Sequence, residues 1–185
     1  MSIQVSPGSL LIAPPSMTDN CFERTVHLVT HHTAGGSFAL CVNKPSKFTL
    51  QDILAETDIF TTLDLPLYWG GPVDPATVWM LHDSSWTHSN TIMFNDEWGM
   101  TSSKSMLQDL ADGNAPRRFR LLYGFCSWGR GQLAAELEGS PPWNASHSWL
   151  VADDPGSDWV LETPDEEMWQ AATILCGEQA VSKWF

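Results

Sequence analysis

Basic residues are scarce in this chain: nine Lys and Arg face 22 Asp and Glu in 185 residues, a formal net charge of −13. Ten acidic residues and a single basic one, Lys183, follow Arg130. Such a surface repels a phosphate backbone, which argues against direct nucleic-acid binding. No apolar run approaches the roughly 20 residues needed to span a bilayer, so no membrane role is expected. Leu10 to Ala13 is too short for the core of a signal peptide and no Lys or Arg precedes it; a cytosolic location is expected. The four cysteines (Cys21, Cys41, Cys126, Cys176) contain no Cys-x-x-Cys pair, so reduced thiols fit better than a disulfide framework. Outside a secretory route the Asn144-Ala145-Ser146 sequon has no consequence. Repeats, linkers and low-complexity tracts are also lacking. What remains is 43% hydrophobic and long enough for one domain, residues 1–185, to bury a core without metal or disulfide staples.

Ten tryptophans are the main compositional excess, and a core position is the default for most of them. Strands are expected at Gly8–Ala13, Thr25–His31 and Ser37–Asn43, the last two joined through Thr33-Ala34-Gly35-Gly36. Lys44-Pro45 ends the third. Thr49 and Asp52 spell a capping box for a short helix through Glu56. Leu67–Trp69 leads into the Gly70-Gly71-Pro72 turn, and Val78–His82 and Thr91–Asn95 read as strands. Ser102 or Ser103 caps a helix carrying Met106, Leu107 and Leu110, with Gly113 as its stop. Arg118–Phe125 is the next strand. A helix from about Gly131 to Glu138 follows, broken by Gly139-Ser140-Pro141-Pro142. Ser148–Ala152 and Trp159–Leu161 are short strand candidates. Thr163, Pro164 and Glu166 form a helix start, and Gly177 is its expected end. The pattern is one mixed α/β domain.

Tyr123 to Leu137 carries the most chemistry. A strand runs through Cys126, Ser127 and Trp128 into Gly129-Arg130-Gly131 and a helix, where backbone N–H groups and a helix N-terminus converge. Gly129-x-Gly131-x-x-Ala134 spells the dinucleotide fingerprint, and Asp153-Asp154 lies about 20 residues on. The hairpin-rich chain before it is not the repeated βαβ arrangement that fingerprint needs, so no cofactor is assigned. Phe125 replaces the first glycine of a nucleophile elbow. Cys126 or Ser127 could still act with a histidine such as His82; a buried structural cysteine is the alternative. For metals, His27 and His31 share a strand face but lie ~13 Å apart. His82, His88 and His147 show no ligand spacing, and no metal is expected. Arg117, Arg118 and Arg120 read as an exposed strand edge.

Ordered blocks across the chain resemble the AlgH/YqgE family of bacterial proteins. They are Leu10-Leu11-Ile12-Ala13-Pro14 with Met17, Asp19, Phe22, Thr25-Val26 and His31; Val42-Asn43-Lys44-Pro45; Leu50 to Leu54; Gly70-Gly71-Pro72-Val73; and Leu81-His82. Tyr123 to Trp128 follows, then Gly129-x-Gly131-Gln132-Leu133, Glu136, Trp143, and Trp169 with Ala171-Ala172. Ala134 stands where the family commonly has Glu, Pro141-Pro142 precedes Trp143, and Val181 to Phe185 replaces the usual small-residue tail. The resemblance implies a single α+β domain with a mixed, mostly antiparallel, bifurcated and barrel-like sheet surrounded by helices. It supplies no catalytic set, since the family is largely uncharacterised and often labelled as transcriptional regulators. A cytosolic accessory or regulatory protein acting through protein contacts is the expected function. A small hydrolase or anion- or nucleotide-binding enzyme at the 126–131 turn is the alternative. The candidate contact patch is Trp128, Gln132 and Glu136, with Gly70, Gly71, Gly129, Arg130 and Gly131 in turns that mostly define the fold.

Overall fold

A computed structural model of the protein describes residues 3–142 and 148–185. Trp143, the 144–146 sequon and His147 lie outside the described residues. The first three strands, β1 (Leu10–Ile12), β2 (Val26–Thr33) and β3 (Gly36–Cys41), form an antiparallel ladder in which Leu10 pairs with Leu28 and Leu28 with Leu40. Side chains alternate across a strand, so both faces are apolar here. Leu10, Leu28 and Leu40 enter one core, and Leu11, Val29 and Ala39 enter another on the opposite face. A sheet buried on both sides explains why these segments read as continuous apolar runs rather than alternating ones.

After β4 (Pro45–Thr49), helix α1 (Leu50–Leu54) starts at the Thr49–Asp52 capping box, where the Thr49 N–H donates to the Asp52 carboxylate at 2.7 Å. Then come β5 (Pro66–Trp69), β6 (Val73–Asp83), β7 (Ile92–Met93) and β8 (Trp98–Thr101). Helix α2 (Lys104–Ala111) is capped by Ser103, whose hydroxyl accepts from the Met106 N–H at 3.0 Å. A third core holds Leu50, Leu54, Met106 and Leu110 against Met80 and Leu121. The chain ends with β9 (Phe119–Trp128), α3 (Gln132–Glu138), β10 (Leu150–Ala152), α4 (Ser157–Glu162) and α5 (Asp165–Ser182).

Strand β9 is the axis. The sheet runs β10-β1-β2-β3-β9-β6-β8-β7, and β5, paired with β4, joins β9 as well. Leu121–Tyr123 pairs in parallel with β5, whereas Cys126–Trp128 pairs antiparallel with β3. The sheet therefore forks at Gly124. There the Gly70 N–H donates to the Tyr123 carbonyl and the Gly70 carbonyl accepts from the Cys41 N–H, both at 2.8 Å. Gly124 has φ +71°, and a Cβ on it would lie 2.3 Å from the Gly71 carbonyl oxygen; one on Gly70 would lie 2.4 Å from the Gly124 carbonyl oxygen. Only glycine lets the backbones approach this closely.

The sheet also curls. Asn95, just past β7, donates to the Asp154 carboxylate, just past β10, at 2.9 Å, so the two ends of the strand order meet. Gly8 sits in this seam with φ +99°, where a Cβ would lie 2.2 Å from the Asp154 carboxylate. The result is the forked, half-barrel α+β domain that the resemblance implies.

Several local expectations need correcting. Trp159–Leu161 is helical, within α4; a three-residue apolar run carries no period with which to choose. Thr163 does not cap α5; its hydroxyl donates back to the Trp159 carbonyl, closing α4, and Pro164 precedes the helix. Helix α5 runs through Gly177, held by the Asp153 N–H donating to Gln179 at 2.7 Å. The third strand stops at Cys41, before Lys44-Pro45, but the sequence reading has no counterpart for the strands at 45–49 and 98–101. Arg117, before β9, is exposed, but Arg120 is not on an edge, because β9 has neighbours on both sides. Arg120 is 8% exposed, donates to the Val42 and Thr163 carbonyls, pairs with Asp165 at 3.1 Å and stacks on Tyr68. Arg118 bridges Asp158 at 2.7 Å and Glu162 at 2.6 Å.

Candidate functional site

The end of β9 and helix α3 enclose a cleft of about 310 Å3, with Cys126, Trp128 and Trp149 in its wall and Pro72 and Val73 at its rim. One carboxylate organises this junction. Glu136 Oε2 accepts from the Trp128 indole N–H at 2.9 Å and from the Trp149 indole N–H at 3.0 Å, and Oε1 accepts from the Gln132 amide at 3.0 Å. The Gln132 carbonyl oxygen in turn accepts from the Gly129 N–H at 3.0 Å. Helical spacing of four residues places Gln132 and Glu136 on one face of α3, and Leu133 anchors that helix in the core beneath. Trp128, at 7% exposure, is a wall of the site rather than a free anchor. Gly131 has φ +71° at the helix start with open space around it, so it makes the turn and admits nothing closer.

Behind the cleft lies a chain of donors whose direction follows from its far end. The Thr25 hydroxyl donates to the Phe22 carbonyl at 2.6 Å, so its oxygen accepts from His27 Nε2–H at 2.8 Å. Nδ1 of His27 then carries the lone pair, so the Cys126 thiol has two acceptors for its proton, His27 Nδ1 at 3.5 Å and the Gly70 carbonyl at 3.7 Å. In outline this is the order of a thiol, a base and an orienting group. The electrostatics oppose activation. Burial, with the nearby Lys44 charge adding to it, drops His27 from 6.5 to about 3. Burial pushes the Cys126 thiol far above its ordinary range, and neighbouring Cys41 adds to that. Both groups are neutral at pH 7, so the pair is a thiol–imidazole hydrogen bond rather than a thiolate–imidazolium pair. Phe22 and Trp149 pack against His27, with ring centroids at 5.8 and 5.0 Å, and keep water from it.

The structure joins some of the residues singled out from sequence and separates others. Cys126, Trp128, Gly129, Gln132 and Glu136 meet at one junction, while Gly70 and Gly71 form the sheet fork beside it. Ser127 and Arg130 are exposed. His82 is not at the site: it is buried between the Asp83 carbonyl and the Thr101 hydroxyl, with bonds of 2.8 and 2.9 Å. His27 occupies the place beside Cys126 instead. His31 is exposed beyond a bulge in β2, and Asp154 belongs to the seam. The Gly129–Gly131 turn spends an amide on its own Gln132 and leads into a seven-residue helix. Phe22 and Thr25 stand in the sequence only as members of a family block and Trp149 only in a short strand, since strand pairing and core packing alone bring them to this site. Among the described residues no three His, Cys, Asp or Glu side chains converge as metal ligands, and no helix is long and apolar enough to cross a membrane.

Comparison with known proteins gives the family and the fold. The AlgH-like family model, DUF179, matches residues 10–181. A UPF0301 protein of Methylococcus capsulatus is 34% identical over 171 residues, covering 90% of this chain and 87% of the relative. One from Ruegeria pomeroyi is 34% identical over 180 residues, covering 94% and 93%. The solution structure of the AlgH protein from Pseudomonas aeruginosa superimposes with a TM-score of 0.77 at 29% identity, covering 95% of this chain and 93% of that one. A crystal structure of a Corynebacterium diphtheriae protein, 23% identical, shares the fold with a TM-score of 0.71 over 93% and 87% of the two chains. With the family model matching residues 10–181 and a relative 34% identical over 90% of the chain, this protein belongs to the AlgH-like family.

Proposed function

We propose that this protein is a non-enzymatic accessory or regulatory protein of the cytosol that acts by binding another protein at the cleft between β9 and α3. One observation carries the reading. The polar groups of the junction satisfy one another through Glu136, while the cleft keeps an apolar wall and an accessible rim at Val73. Such a site offers shape and apolar area rather than a poised reactive group. Affinity capture from the native cell tests it, comparing wild type with Val73→Asp and Gln132→Ala. These positions line the cleft without filling the core, so the variants fold and lose a specific partner. Folded variants that retain every partner would refute the assignment.

The Cys126–His27 contact favours a second reading, a thiol-dependent hydrolase at the same cleft. Alkylation with iodoacetamide at pH 7.5 separates the two. A neutral, buried Cys126 stays unmodified in the native protein while exposed Cys21 reacts. Rapid modification of Cys126 before Cys21 would support the hydrolase and overturn the non-enzymatic reading.

A further inference from the structure

A second cavity, of about 430 Å3, opens on the other side of β9, where Phe125 rather than Cys126 forms the wall. It lies inside the curl of the sheet, with Phe38 of β3 facing the β7–β8 hairpin. Leu40, Trp79, Phe94, Met100 and Phe125 belong to or pack on the largest apolar core, so the cavity runs from that core out to the surface. Phe38, Ile92 and Met93, at 41, 57 and 41% exposure, stand around it, leaving apolar surface open to water. The Phe38 and Phe125 rings are tilted together with centroids 5.5 Å apart.

The chemistry of an occupant follows from the lining. Its volume falls in the range of roughly 300–1,000 Å3 that takes small-molecule ligands. Aromatic faces and the Met93 and Met100 thioethers suit a flat aromatic or short alkyl group. No lysine or arginine lines it, and the chain carries a net charge of −13, so an anion would be buried without a counter-charge. The cavity's polar side-chain groups are those of Thr30 and His31 and the Trp79 indole N–H, which is buried with no hydrogen-bond partner among the described residues. The Thr30 hydroxyl lies 3.5 Å from the Phe38 carbonyl, at the limit of a hydrogen bond, and has capacity for a ligand's hydroxyl or amine.

We infer that this cavity is a binding site for an uncharged, largely aromatic or aliphatic small molecule carrying one hydroxyl or aromatic amine. It is separate from the protein-contact cleft and does not depend on that reading.

Two fluorescent probes sharing one ring framework test the inference: neutral N-phenyl-1-naphthylamine and its anionic sulfonate, 1-anilinonaphthalene-8-sulfonate. Titration of the full chain at pH 7.5 is expected to give saturable binding of the neutral probe. The sulfonate should bind at least about tenfold more weakly, since an unpaired buried charge costs more than the 1.4 kcal/mol that a factor of ten represents. Met93→Lys, at the exposed edge strand, places a cation at the rim and should narrow or reverse that preference. Carbon-13 methyl shifts of Met93 and Met100 locate the probe. Absence of saturable neutral-probe binding, equal affinity for both probes, or a preference unmoved by Met93→Lys would overturn the site. Sedimentation of the unliganded protein as a dimer with Met93 protected would also overturn it, in favour of a second copy covering the cavity.

Discussion

Lowering the pH should cost this protein stability through His27 in particular. In the folded state His27 titrates at about 3, because burial and then the Lys44 charge disfavour its protonated form. In the unfolded chain it returns to about 6.5. A histidine lowered on folding binds its proton only when unfolded across the window from about 6.5 to 3, so stability falls as pH falls through that window. At pH 5 the cost is RT ln(1 + 10^1.5), about 2 kcal/mol, and it approaches 5 kcal/mol only near pH 3. Urea unfolding followed by circular dichroism, at pH 7.5 and 5.0, measures it for wild type and His27→Gln. The substitution also removes the Thr25 and Cys126 hydrogen bonds, so the informative quantity is the difference between the two pH values within each protein. Wild type should lose about 2 kcal/mol more than the variant. His82, also lowered by burial, is present in both and cancels. Equal pH dependence would refute the neutral-pair account. A wild type more resistant to acid than the variant would show that His27 is raised on folding, as an imidazolium beside a Cys126 thiolate would be.

Three further perturbations probe the architecture. Gly124→Ala and Gly131→Ala share a starting φ of +71°, but only Gly124 faces backbone at 2.3 Å; thermal melts should show a loss above about 3 kcal/mol for the first and roughly 1 kcal/mol for the second. Glu136→Ala strands two indole N–H groups and should cost about 2–4 kcal/mol in denaturant titration, with a red shift of tryptophan emission, while Glu136→Gln keeps an acceptor and costs less. Arg120→Met leaves Asp165 without its cation and should cost about 3–5 kcal/mol, much of it recovered when Asp165→Leu is added.

Sequence patterning determined whatever depends on neighbours along the chain. The Thr49 cap, a serine cap at 102 or 103, the β2–β3 hairpin at Ala34-Gly35, and the apolar face of Met106, Leu107 and Leu110 were legible, because dihedral preference and side-chain period are local properties; the structure chose Ser103. The ordered blocks identified the family for the same reason: each is a short run of residues. Where a run was too brief to show a period, at Trp159–Leu161, or where distant contacts outweighed a local signal, at Gly177, the local reading went astray.

Tertiary structure alone decided the chemistry of the site. Nothing in the spacing of His27 and Cys126, 99 residues apart, marks them as partners; strands β2, β3 and β9 lying side by side put them at 3.5 Å. Their neutrality is likewise a property of the packed interior, since the same side chains in water would titrate normally. The glycines show the division clearly. Their order in sequence marked Gly70, Gly71 and Gly124 as part of a pattern, but the reason they must be glycine is the fork, where two stretches of backbone more than fifty residues apart touch and leave no room for a Cβ.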